Sequence, residues 1–174
     1  MDPVTLISII KGGLILGALY ALMATGLSLV WTTLGIFNFA HGTFIALGAY
    51  VAWQFASTDA FGLPMGLALA ITCVVLFAVG VVVHFLLVKP FERHRDVVLI
   101  SVITTLAGSA IIENLLLLGW GPRSKQIPEL ATGFMEFAGF RLAWSEIVLL
   151  VVVLVILAGL GLFLQLSKPG RSMR

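Results

Sequence analysis

The chain has 174 residues, of which 60% are hydrophobic and only 10% charged, with a formal net charge of +2. Soluble domains carry about 25% charged residues, so this composition excludes a soluble enzyme, a disordered tail and a nucleic-acid-binding domain. The 47 residues from 12 to 58 contain no Asp, Glu, Lys or Arg; as one helix they would reach about 70 Å, more than twice a hydrocarbon core of about 30 Å. The chain must fold back on itself within a bilayer.

Five apolar spans follow in order, each near the ~20 residues that a tilted membrane helix needs. The first runs from about Leu6 to Trp31. Its Met-Asp-Pro start has no basic region, so it reads as an uncleaved helix and not a signal peptide. Gly13, Gly17, Ala21 and Thr25 repeat at four-residue spacing along it, a stripe that permits close helix packing in lipid. The second span, about Ile36 to Phe55, repeats the device with Gly48, Ala52 and Ala56.

That second span opens on a polar island, Asn38-Phe39-Ala40-His41-Gly42, bracketed by Gly35 and Gly42. Asn and His are costly in hydrocarbon unless partnered. One reading is a broken helix lining a substrate path, as transporters build their sites. The other makes Trp31–Gly35 an interfacial turn, with Asn38 and His41 one turn into the next helix.

The third span runs from about Met65 to Val88. Its Cys73 stands alone, with neither disulfide nor metal-ligand spacing, and His84 reads as an interfacial residue. Lys89, Arg93 and Arg95 then cluster in a short loop. The fourth span, about Val97 to Leu118, carries Glu113-Asn114, the one acidic site inside a span. A carboxylate there costs about 3 kcal/mol unless it faces a bundle interior or water. Glu113 and Asn114 are candidate path residues or structural hydrogen-bonding groups. Residues 119–143 mix Gly, Pro and aromatics and read as a cap over the outer face, with part of Phe134–Phe140 lying on the membrane. The fifth span is Trp144 to Leu166, and Lys168, Arg171 and Arg174 follow it.

Dense basic clusters mark cytoplasmic segments. Placing the 89–95 loop and the tail inside puts the N-terminus outside and requires an odd number of spans, which five satisfies. The expected fold is an all-α, polytopic membrane helix bundle of about five transmembrane helices, one domain over residues 1–174. No Ser-His-Asp set, paired carboxylates, zinc-protease or P-loop motif occurs, so no catalytic residue, metal or cofactor is expected.

Gly26-Leu27-Ser28-Leu29-Val30, the Gly35–Phe44 block with its Asn-Phe-Ala-His-Gly core, and Gly48-Ala49-Tyr50 resemble the start of branched-chain amino acid ABC transporter permeases of the LivH type. The likeness continues through Lys89-Pro90-Phe91 with Arg93, through Ile100–Ala107, and through Asn114 to Gly121-Pro122. It ends on Gly170-Arg171-Ser172-Met173-Arg174, similar to the family's Gly-Arg-Ala-Met-Arg cytoplasmic segment. Glu113 departs from the Gln usual in the family. The chain also stops where the family continues through a coupling loop into further helices, so it reads as the N-terminal part of a permease lacking the C-terminal helices.

The resemblance implies a non-enzymatic subunit of an ATP-driven importer in a bacterial inner membrane, carrying branched-chain or other small amino acids. Its implied partners are a second permease subunit, two ATP-binding subunits, an external substrate-binding protein and membrane lipid. Asn38, His41, Gly42, Glu113 and Asn114 would line the path, and Gly170, Arg171 and Arg174 would begin the contact with the ATPase. A chain ending at Arg174 would then not transport by itself. A non-transporting scaffold of packed helices, or a channel for a small neutral solute, are the alternatives.

Overall fold

The computed structural model describes residues 3–58, 60–91, 96–127, 133–137 and 140–166. The chain is an all-α, multi-pass membrane protein, and its described residues include a short β-hairpin. It divides into two compact units, residues 1–33 with 129–174, and residues 34–128.

The first unit contains α1 (Pro3–Leu34), the hairpin strands β1 (Phe134–Phe137) and β2 (Phe140–Ala143), and α5 (Trp144–Leu166). α1 has 32 residues and is longer at both ends than the sequence indicates. Near its N-terminal end Lys11 Nζ lies 2.9 Å from Glu146 Oε2 in the first turn of α5. Toward the other end Thr25, Ser28, Leu29 and Thr32 share a cleft with Gly161, Leu164 and Gln165. Contacts at both ends in the same order make α1 and α5 parallel. Glu146 also accepts the Ala143 N–H at 3.2 Å, so it meets a free donor where a helix N-terminus favours negative charge. β1 and β2 pair antiparallel, Phe134 opposite Ala143 and Phe137 opposite Phe140, and β2 runs directly into α5.

The small-residue stripe of α1 meets no described neighbour at its glycines: a Cβ built at Gly13 or Gly17 has nothing within 4 Å. The matching stripe of the second unit is packed. There α2 (His41–Ala56) lies against α3 (Met65–Val83), and a Cβ on Gly48 would stand 3.0 Å from Leu76 Cδ1. Val51, Ala52 and Ala56 of α2 and Ala68 and Thr72 of α3 are buried. Small side chains let the two backbones approach.

α3 continues through a π-helical turn, His84–Val88, and a 3₁₀ turn, Lys89–Phe91. π turns widen the backbone and leave carbonyls for other donors. Here the Leu87 carbonyl accepts the Thr104 hydroxyl of α4 (Val97–Trp120) at 3.1 Å. Leu87 also fills the space above Gly108, where an added Cβ would collide with its side chain. α4 stops at Gly121, whose φ of 75° is open to glycine at little cost and whose N–H closes on the Leu117 carbonyl at 2.9 Å.

Among the described residues four helical stretches are long and apolar enough to cross a membrane: Thr5–Thr33, Met65–Phe91, Val97–Trp120 and Trp144–Leu166. The second expected span is the exception. α2 has 16 residues, about 24 Å of helix, because residues 35–40 are not helical. The interfacial turn that one of the two readings sets at Trp31–Gly35 is not found there. Trp31 to Leu34 belong to α1, and the chain leaves the helix at Gly35, with φ +65°. Asp59, Arg93 and Arg95, and the tail with Gly170, Arg171 and Arg174, lie outside the described residues.

Candidate functional site

The break between α1 and α2 is where the polar island sits. Non-helical backbone at membrane depth is tolerated where protein buries it or a water-filled cavity meets it, so each polar group needs a partner. Asn38 supplies two. Its Oδ1 accepts the Ala40 N–H at 3.1 Å and its carbonyl accepts the His41 N–H at 3.2 Å. This is an asparagine turn, a local alternative to helix that Asn favours. The third partner comes from α4: the Phe39 N–H donates to Thr105 Oγ1 at 3.2 Å. Ile36 and Ala40 are buried, while Phe37 and Phe39 are exposed, their ring centroids 6.4 Å apart.

The α4 surface beneath the break is polar. Ser101, Thr104 and Thr105 occupy i, i+3 and i+4, one face of a helix. Thr105, 1% exposed, donates to the Ser101 carbonyl at 2.7 Å while accepting from Phe39. Ser101 is 0% exposed, and its Oγ has no hydrogen-bond partner among the described residues. A buried hydroxyl in that condition costs about 1–3 kcal/mol.

Two of the motifs picked out in the sequence meet here. Thr43, in the first turn of α2, donates to Glu113 Oε1 of α4 at 3.2 Å. The contact brings the island beside the intramembrane carboxylate across 70 residues. His41 and Gly42 stand next to Thr43 at the start of α2. Asn38 spends its side chain on its own turn, and Asn114 bonds the Ala110 carbonyl of its own helix at 2.7 Å, so neither joins Glu113. Thr43, Ser101, Thr104 and Thr105 were not singled out as site residues from their chemistry. The available signal was the pair of hydroxyls three and four residues after Ser101 in a stretch of helix, residues 97–108, that is otherwise apolar.

Two recesses lie among the described residues. The α1–α5 cleft holds about 370 Å³. A second, of about 240 Å³, lies by the C-terminal half of α2. Among the described residues no group of three His, Cys, Asp or Glu is placed to hold a metal ion.

The profile of the family described as "Branched-chain amino acid transport system / permease component" matches residues 9–174. The chain belongs to that family. It is 30% identical over 173 residues to the high-affinity branched-chain amino acid transport system permease protein BraD of Pseudomonas aeruginosa, covering 93% of this chain and 56% of that relative. Identity to the permease LivH of Escherichia coli K12 is 27%, with the same coverage. A probable LivH permease of Methanocaldococcus jannaschii is 30% identical over 174 residues, covering 53% of its length. The chain thus spans about half the length of the curated relatives it matches. No solved structure matches it.

Proposed function

We propose that this sequence forms part of the membrane-spanning permease subunit of an ATP-driven (ABC) importer for branched-chain or other small amino acids. The observation that carries the reading is the family match over residues 9–174. The N-terminus and Asp59 face outside, and Arg93 and Arg174 face the cytoplasm, as the basic clusters favour. In a bacterial host the subunit sits in the inner membrane. It works with a second permease, two ATP-binding subunits and an external binding protein, and ATP is hydrolysed by the partners.

The break at residues 35–40, set on the hydroxyl face of α4, supports a path at this point. A short helix start that both neighbours can re-pair is suited to opening and closing. His41, Gly42 and Glu113 lie nearest the Thr43 contact, with Asn38 and Asn114 on either side of it in sequence. Gly170, Arg171 and Arg174 begin the ATPase contact. The test is affinity purification of the full-length protein carrying this sequence from cells expressing the partners. Recovery of both the second permease and the ATP-binding subunits is expected. Recovery of the intact protein without them contradicts the reading.

A further inference from the structure

The 240 Å³ recess of the second unit is lined by Ala49, Tyr50 and Trp53 of α2 and by Ser124, Lys125 and Ile127 of the segment after α4. Its size is a little below the ~300 Å³ at which pockets for drug-sized ligands begin, which suits a smaller solute. The aromatic wall is braced. Tyr50 packs on Trp120 with ring centroids 5.6 Å apart at 44°, and Trp120 Nε1 donates to Gln54 Oε1 at 2.8 Å.

Lys125 Nζ lies 4.4 Å from the centroid of the Trp53 ring. A cation on a ring face is attracted there by the ring quadrupole, which holds the ammonium in place while leaving N–H donors on its far side. Among the described residues Lys125 makes no ion pair. A half-buried, positioned ammonium beside Tyr50, Ala49 and Ile127 offers two kinds of contact within one small volume: a charge-assisted hydrogen bond for an anion, and apolar surface for whatever is attached to it.

We propose that this recess is a receiving site for a small monocarboxylate with an apolar side chain, the carboxylate on Lys125 and the side chain against Tyr50, Ala49 and Ile127. An apolar amino acid fits that description. The role in uptake rests on the importer reading above, under which the recess opens at the outer face; the binding chemistry does not. A lipid phosphate is the other anion that a membrane-edge lysine meets, and the bilayer composition in the test separates the two.

The test titrates tryptophan fluorescence of the full-length protein in phosphatidylcholine nanodiscs, against a Trp53→Phe variant, with L-leucine, 4-methylpentanoate and 3-methylbutylamine. The first two are expected to give a saturable, Trp53-dependent change, and the amine, which lacks the carboxylate, none. Lys125→Gln weakens the leucine response about tenfold or more with an unchanged thermal midpoint, and Lys125→Arg retains it. An equal response to the amine, an unaffected Lys125→Gln variant, or loss of the leucine response when phosphatidylglycerol replaces phosphatidylcholine overturns the site. ATP-driven leucine uptake by the assembled transporter, measured alongside, separates the two proposals. Uptake without leucine binding in the recess removes the receiving site alone, and binding without uptake removes the importer reading alone.

Discussion

Replacing Thr105 by valine swaps a hydroxyl for a methyl of nearly the same shape, so packing around this 1% exposed position is preserved. What is lost is the acceptor for the Phe39 N–H, 3.2 Å away, together with the donor to the Ser101 carbonyl at 2.7 Å. The carbonyl lies inside α4 and keeps its place in the helix backbone ladder, whereas no replacement for the Phe39 bond is in place. An orphaned buried amide costs about 1–3 kcal/mol. The Phe39 bond is only partly buried, which favours the lower part of that range, about 1–2 kcal/mol. A loss of that size changes a local opening equilibrium by about 5- to 30-fold. At about 2–4 °C per kcal/mol for a chain of this size, it lowers the thermal midpoint by about 2–8 °C. Helical circular dichroism in detergent measures the midpoint, and amide hydrogen exchange at Phe39 measures the opening. Thr105→Ser keeps the hydroxyl and is expected to leave the Phe39 amide protected. If the valine variant exchanges Phe39 no faster than the serine variant, Thr105 does not hold the break.

Gly48→Leu should lower the thermal midpoint, because a Cβ there already stands 3.0 Å from Leu76 Cδ1 and overpacking costs about 1–3 kcal/mol; Gly17→Leu should leave the midpoint of the chain unchanged, and equal effects would argue against the α2–α3 crossing. Lys11→Met should destabilise more than the Lys11→Met/Glu146→Gln pair, by about 1 kcal/mol, since the single change strands a carboxylate that is itself about 30% exposed; a double-mutant cycle in denaturant titrations measures the difference, and a cycle without coupling contradicts the ion pair. In a Cys73→Ala background, a cysteine at position 59 should react with an impermeant maleimide from outside and one at position 93 should not; the reverse pattern overturns the proposed orientation.

The helices themselves were legible because the bilayer reduces the problem to length and apolar content. Met65 and Trp144 start α3 and α5 where the hydropathy changes, and the apolar run of α5 is helical up to the last described residue, Leu166. The break was legible in kind but displaced. Gly35 and Asn38 announce a turn by residue type, yet its position depends on an acceptor, Thr105, that lies 66 residues away from Phe39. The Lys11–Glu146 pair joins residues 135 apart, and nothing local to either indicates the other. The four-residue strands around Phe134–Ala143 are too short for a period of two to emerge. The packing stripe was visible in both α1 and α2, but spacing alone does not say which stripe meets a neighbour; the close approach is at Gly48. Glu113 was visible as an isolated charge. Its Thr43 donor was not, because threonine in a membrane helix more often bonds its own backbone, as Thr25 does with the Ala21 carbonyl at 2.6 Å.

The most direct test of the central claim is uptake of labelled L-leucine into sealed vesicles. They would contain the full-length protein carrying this sequence, its second permease and the ATP-binding subunits, with the binding protein on the face opposite the ATPases. The account predicts accumulation of leucine against its gradient that requires ATP, requires the binding protein, and stops when this permease is omitted. Correctly assembled complexes that hydrolyse ATP while leucine only equilibrates, or uptake that persists without this permease, would contradict it.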